Sequence, residues 1–196
     1  ILAPRPNEVI LDACSSPGGK TTYMAELMEN KGEILAWDLH PHRVKLVEEN
    51  AKRLGVHIIK TECQDASKYQ EMYKEKFDKI LLDVPCLGIG VLKRKPDIKW
   101  KRKPEDIAEI TQIQQKILET CSQYLKQNGQ MVYATCSIFK EENDKIIDQF
   151  LQNHTDFMYA KIEQSNIEKD TKDLHKIQLY QNAETDGFFI CKLQRK

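Results

Sequence analysis

At 196 residues the chain suffices for one compact domain with a continuous core and no need of disulfide or metal staples. Thirty basic and thirty acidic residues cancel, which argues against binding nucleic acid by bulk charge and leaves any such contact to local clusters. No stretch approaches the length of a membrane span and none reads as a secretory signal, so a soluble, cytoplasmic protein without a membrane partner is expected.

Residues 1–8, with Pro4 and Pro6, read as a turn-rich lead-in from a missing upstream region, and 9–196 as the domain. An apolar run at 9–11 predicts the first strand and 18–28 the first helix; 34–37 follows as a strand, then a helix with Val44, Val47, Ala51 and Leu54 on one face. Ile58 and Ile59 begin a third strand, and 80–82 forms a fourth. Ile107, Ile110, Ile113, Ile117 and Cys121 stripe a long helix that Gly129 closes, before a fifth strand at 131–134. A helix around Ile146, Ile147 and Phe150 follows, then a weak strand near Phe157 and a last buried strand at 188–193 after the Asp186-Gly187 turn. Polar, aperiodic residues 163–176 predict a surface excursion. Strands alternating with helices define an α/β fold with a parallel sheet.

The first strand runs into Asp12-Ala13-Cys14-Ser15-Ser16-Pro17-Gly18-Gly19-Lys20-Thr21, a glycine-containing turn that opens a helix. Such a loop lies where open α/β sheets bind ligands, beyond the carboxyl ends of the strands. It matches neither the P-loop nor the dinucleotide pattern, so a diphosphate is disfavoured. Asp38 ends the second strand about 20 residues on, where a carboxylate accepts from both ribose hydroxyls. A ribose without phosphates fits better, and S-adenosylmethionine has that chemistry. Asp65 follows the third strand within reach of an adenine edge, and Asp83 ends the fourth. A lone Asp in a turn is usually a cap or a solvated strand end, but acids at four successive strand ends favour a site. Asp12 is expected to brace the loop. The expected cofactor residues are therefore Cys14, Ser15, Ser16, Pro17, Gly18, Gly19, Lys20, Asp38, Asp65 and Asp83.

Six cysteines, none in a Cys-x-x-Cys pair, and five scattered histidines predict free thiols and no metal. Cys121, Cys191 and Cys63 read as small buried hydrophobes, and Cys14 as packing beneath the cofactor loop. Asp83-Val84-Pro85-Cys86 and Thr135-Cys136-Ser137, after the fourth and fifth strands, instead present thiols to one crevice beside an acid. These motifs, the cofactor loop, Asp97-Ile98-Lys99-Trp100 and Asp186-Gly187-Phe188-Phe189 together resemble the Sun/RsmB-type RNA cytosine-5 methyltransferases over nearly the whole chain. Ser15 and Ser16 stand where that family usually has alanines, Leu87 where it has a small residue, and residues 178–182 lack its Arg and Pro.

The resemblance implies a Rossmann-like class I S-adenosylmethionine-dependent methyltransferase fold: a mostly parallel central sheet, an antiparallel last strand and helices on both faces. It implies 5-methylcytosine formation in RNA, small-subunit ribosomal RNA above all, and an upstream RNA-binding domain in the same full-length chain. Cys136 would be the nucleophile at cytosine carbon 6, Asp83 the contact to the base and Cys86 the thiol that releases the adduct. The run holding Lys93, Arg94, Lys95, Lys99, Trp100, Lys101, Arg102 and Lys103 has seven basic residues against one acid. It reads as an RNA contact beside the crevice, made by Lys93, Arg94, Lys99, Trp100, Lys101, Arg102 and Lys103. Two other readings stand beside this one: an inactive RNA-binding module that keeps the fold, and a DNA cytosine-5 methyltransferase using the Pro85-Cys86 thiol.

Overall fold

The structure, a computed structural model, describes residues 1–163 and 174–196. Its strands are β1 (Val9–Asp12), β2 (Glu33–Asp38), β3 (Ile59–Cys63), β4 (Phe77–Asp83), β5 (Leu125–Thr135), β6 (Phe157–Tyr159), β7 (Lys176–Leu179) and β8 (Phe188–Arg195). Its helices are α1 (Gly19–Leu27), α2 (Pro41–Arg53), the short α3 (Ile98–Lys101), α4 (Asp106–Ser122) and α5 (Asp144–Asn153). The strands form one sheet in the order β3-β2-β1-β4-β5-β8-β6. Pairing is parallel from β3 to β5 and antiparallel at β8, with β7 and β6 sharing the far edge of β8.

Side chains alternate across a strand, and here both alternating sets are apolar, as a sheet covered on two faces requires. Ile10, Ile34, Leu81 and Val132 pack with Met24, Ala25 and Met28 of α1, while Leu11, Leu35, Ile80, Leu82, Met131 and Tyr133 pack with Ile117, Leu118 and Cys121 of α4 and Ile146, Ile147 and Phe150 of α5. Residues 1–8 carry no helix or strand, yet Leu2 is buried in the α1 cluster.

The direction of strand progression reverses between β1 and β4, so the carboxyl ends of these neighbours bound the crevice that such switch points create. The loop after β1 is held firmly. Ser15 bonds the Trp37 carbonyl through both its amide (2.8 Å) and its hydroxyl (2.9 Å), and Gly18 turns the chain into α1 at φ 102°. That left-handed conformation favours glycine, and a Cβ there would also press within 3.2 Å of Val47 in α2.

Several local expectations are corrected. Leu54 is the C-cap of α2 and is half exposed, because the helix ends before its side chain can turn inward. Gly129 does not close α4, which ends at Ser122; it lies inside β5, where the register against β4 slips from Phe77↔Leu125 to Lys79↔Gln130. A glycine in a strand marks such an irregularity. Cys63, at the end of edge strand β3, is exposed. Of the excursion expected at 163–176, residues 164–173 lie outside those described, and Lys176 begins strand β7. Asp186-Gly187 closes a longer connection between β7 and β8 rather than a tight two-residue turn.

Candidate active site

A cleft of about 530 Å³ opens along the carboxyl ends of β1, β2, β3, β4 and β5. Its walls bring together Cys14, Ser16, Lys20, Asp38, Asp65, Asp83, Cys86 and Cys136. A smaller cavity of about 290 Å³ continues beneath the loop, lined by Asp12, Ser15, Pro17 and Gly19 among others. All three carboxylates expected to face a ligand therefore meet in one cleft, and Gly18 contributes the bend that shapes its rim.

At one end Asp38 is almost fully buried; its Oδ1 accepts from the His40 amide (3.2 Å), and Arg43 Nε lies 3.3 Å from Oδ2. Asp65 accepts from the amide (3.0 Å) and hydroxyl (2.6 Å) of Ser67 and pairs with Lys68 at 3.3 Å. Burial pushes the Asp65 carboxyl up, but these bonds outweigh it and hold its pKa below the ordinary value. At the other end Lys20 Nζ pairs with Asp83 at 2.7 Å and sits 5.7 Å from the Phe188 ring centroid. Burial alone would lower the Lys20 pKa, and the Asp83 charge reverses that, so the ammonium is retained.

Beneath the loop Asp12 is fully buried, and Thr21 Oγ1 donates to its Oδ2 at 2.7 Å. That contact is the expected brace. Burial drives the Asp12 pKa up to about 7, against the lowering effect of the Thr21 bond.

The two thiols are partners. Cys86 Sγ and Cys136 Sγ stand 2.9 Å apart, at the ends of adjacent parallel strands and close to Asp83. A Cys86 S–H directed at Cys136 stabilises the Cys136 thiolate and lowers its pKa despite burial; the same bond, with burial, drives the Cys86 pKa up. Cys14, by contrast, is pushed well above the ordinary thiol value by burial and stays neutral.

The basic run borders this cleft but divides into two groups. Lys93 donates to the Ala183 carbonyl (2.7 Å), Arg94 pairs with Asp186 (2.9 Å), Arg102 donates to the Leu87 carbonyl (3.1 Å) and Lys101 pairs with Asp97 (2.7 Å). Among the described residues, Lys95, Lys99 and Lys103 have no carboxylate or carbonyl partner for their ammonium groups, and Lys95 reaches the cleft wall. Trp100, beneath the Lys99 ammonium at 5.5 Å, is 83% exposed. Sequence reasoning missed Lys95, Arg43, Phe188 and Ile113 as cleft residues. The Ile113 position on the α4 stripe was the available signal, since a stripe longer than the core it covers must face something else.

The described residues contain no group of three or more His, Cys, Asp or Glu placed to hold a metal, and no helix long and apolar enough to cross a membrane. Fold and cleft together define the Rossmann-like frame of the S-adenosylmethionine-dependent methyltransferases. The family described as 16S rRNA methyltransferase RsmB/F matches residues 1–194, and the chain belongs to it. It is 44% identical over 200 residues to the probable ribosomal RNA small subunit methyltransferase B of Bacillus subtilis, covering 100% of this chain and 45% of that protein. The corresponding protein of Photorhabdus laumondii is 41% identical over 199 residues, with 100% and 44% covered. This chain therefore spans under half the length of these relatives. Among solved structures, NSun6 from Pyrococcus horikoshii with SFG superposes at TM-score 0.87 and 34% identity, over 99% of this chain and 49% of that one.

Proposed function

We propose that this chain is the catalytic part of an S-adenosylmethionine-dependent methyltransferase that forms 5-methylcytosine in RNA, small-subunit ribosomal RNA being the substrate. The observation that carries the reading is the pair of thiols 2.9 Å apart beside Asp83. Family membership supports the class of substrate, and a neighbour solved with SFG, an analogue of S-adenosylmethionine, supports the cofactor.

The residues of the cleft fit that cofactor. Asp38 is placed for ribose hydroxyls and Asp65 for an adenine edge, while a phosphate would meet carboxylates instead of a nest of amides. When bound, the cofactor supplies an electrophilic methyl group. Everything else falls to the protein. Carbon 5 of cytosine is a weak nucleophile until something adds at carbon 6. Cys136, whose thiolate the contact with Cys86 favours, forms the bond to carbon 6 and moves electron density onto carbon 5 and the ring. Asp83, with Lys20 beside it, faces the N3/N4 edge where that density collects. Carbon 5 then takes the methyl group. Transfer of the carbon 5 proton to a water molecule and cleavage of the sulfur–carbon bond restore the ring double bond and the Cys136 thiolate, with Cys86 assisting release. The base must be single-stranded or leave its stack to enter the cleft, and Trp100 with Lys95, Lys99 and Lys103 offers a stacking and backbone-binding surface at the rim.

The two thiols have separable roles, so two variants test them. Cys136→Ala is expected to abolish methyl transfer and leave no covalent complex. Cys86→Ala is expected to add to RNA and accumulate a protein–RNA adduct stable to denaturing electrophoresis when cofactor is present. An adduct in the Cys136 variant instead would reverse the assignment and favour the thiol arrangement of a DNA cytosine-5 enzyme.

A further inference from the structure

Behind the thiols lies a carboxylate that the reaction does not use. Glu142, between β5 and α5, is fully buried. Its Oε2 accepts from the Leu87 amide (3.0 Å) and from Gln114 Nε2 (2.9 Å), and its Oε1 accepts from the Ser137 hydroxyl. Gln114 is also fully buried, and its Nε2 donates to the Pro85 carbonyl at 2.9 Å. Pro85 and Leu87 flank Cys86, and Ser137 follows Cys136. Glu142 therefore ties the residue after Cys86 to the residue after Cys136, and Gln114, bonded to it, holds the residue before Cys86. The three partners of Glu142 are neutral donors. A buried carboxylate without a cation is costly, but only a carboxylate accepts at both oxygens with no donor to misplace, so no neutral residue makes all three bonds as they stand.

We propose that Glu142 is the positioning residue of the thiol pair: its carboxylate locks the Cys86 loop against the Cys136 loop, so that the two sulfurs stay in hydrogen-bonding contact. The proposal rests on the reading of Cys136 as the nucleophile. A merely structural tie would affect stability alone, whereas this one sets the ionisation of a thiol that Glu142 does not touch.

The test reads the pH dependence of Cys136 alkylation by iodoacetamide, located by peptide mass mapping in the full chain without RNA. Affinity for S-adenosylhomocysteine, whose proposed partners Asp38 and Asp65 do not bond Glu142, serves as the check on folding. Glu142→Gln keeps the shape, and the Ser137 hydroxyl can turn to accept from the new amide; it also removes a negative charge that disfavours the thiolate. Its midpoint is expected at or below that of the parent protein. Glu142→Ala releases both loops, and its midpoint is expected about one pH unit above that of the Gln variant, the size of one lost hydrogen bond to a charged group. In a Cys86→Ala background the two midpoints are expected to coincide, because the effect runs through Cys86. Coincident midpoints with Cys86 present and cofactor affinity intact would overturn the proposal. Should Glu142→Ala lose cofactor binding, Gln114→Met, which cuts the tie to Pro85 without changing charge, decides the same way: a midpoint about one unit above the parent supports the proposal and an unchanged one overturns it. The expected shifts, combined with no RNA adduct from any variant, would support the positioning role while sinking the cytosine reaction.

Discussion

Asp12 links the cofactor loop to the stability of the whole domain through its proton. Its folded pKa of about 7 lies above the ordinary carboxyl value of 3.8, because burial penalises the charged form. A carboxyl with a raised folded pKa contributes stability that is complete below the unfolded value and lost as pH rises through the folded one. Relative to Asp12→Asn, the parent protein is therefore expected to lose stability between about pH 4 and pH 7, by on the order of 4 kcal/mol. Denaturant titrations of both proteins across that range check this, and a constant difference between them would place the Asp12 charge in contact with water. The acids of the cleft were legible one by one, since each of Asp38, Asp65 and Asp83 ends or follows a strand. Contact between Cys86 and Cys136 was legible only as a shared crevice, because 50 positions separate them and strand adjacency is a tertiary fact. Glu142 and Gln114 left a fainter trace, a glutamine on an otherwise apolar helical stripe and an acid just past the Cys136 motif. Nothing local distinguishes such residues from surface ones.

At the scale of elements, the segment carrying the basic run is tied down more than its charge suggests. Arg94 and Lys93 fasten it to the β7–β8 connection and Arg102 to the Cys86 loop, while Gly90 joins the β7–β8 connection to the Cys136 loop. The Gly90 amide donates to the Cys136 carbonyl (2.9 Å) and its carbonyl accepts from the Gly187 amide (2.7 Å), so close that a Cβ on Gly90 would fall 2.1 Å from the Gly187 oxygen. In the proposed function, RNA attraction is accordingly left to Lys95, Lys99 and Lys103. Their combined replacement by Ala is expected to reduce the slope of log affinity against log salt by about 2, at roughly 0.7 per single-strand phosphate contact. Salt titrations that return the parent slope would move the RNA to another face. The same elements show where periodicity misleads. Strand β7 was missed because Lys176-Ile177-Gln178-Leu179 is short and buries only Ile177; it exists because β8 offers an edge to pair with. Gly129 looked like a helix end because glycine signals both a helix stop and a strand irregularity.

Across the whole molecule the sheet order sets the chemistry. Placing β1 beside β4 and β4 beside β5 delivers the loop after β1, Asp83 with Cys86, and Cys136 to three neighbouring strand ends, so residues distant in sequence share one cleft. The alternation of apolar runs and helical stripes was enough to read the succession of strands and helices from β1 to β5, because β1, β2, β4 and β5 are buried along most of their length. The strands near Phe157 and at 188–193 were read from their apolar runs as well, and only the antiparallel direction of the last one came from the family resemblance. Nucleoside composition measures the central claim most directly. The full chain is incubated with methyl-labelled S-adenosylmethionine and small-subunit ribosomal RNA, and the RNA is digested and separated by chromatography. The account predicts label in 5-methylcytidine and none when Cys136 is replaced by Ala. Label in any other nucleoside, or label undiminished in the Cys136 variant, would contradict it.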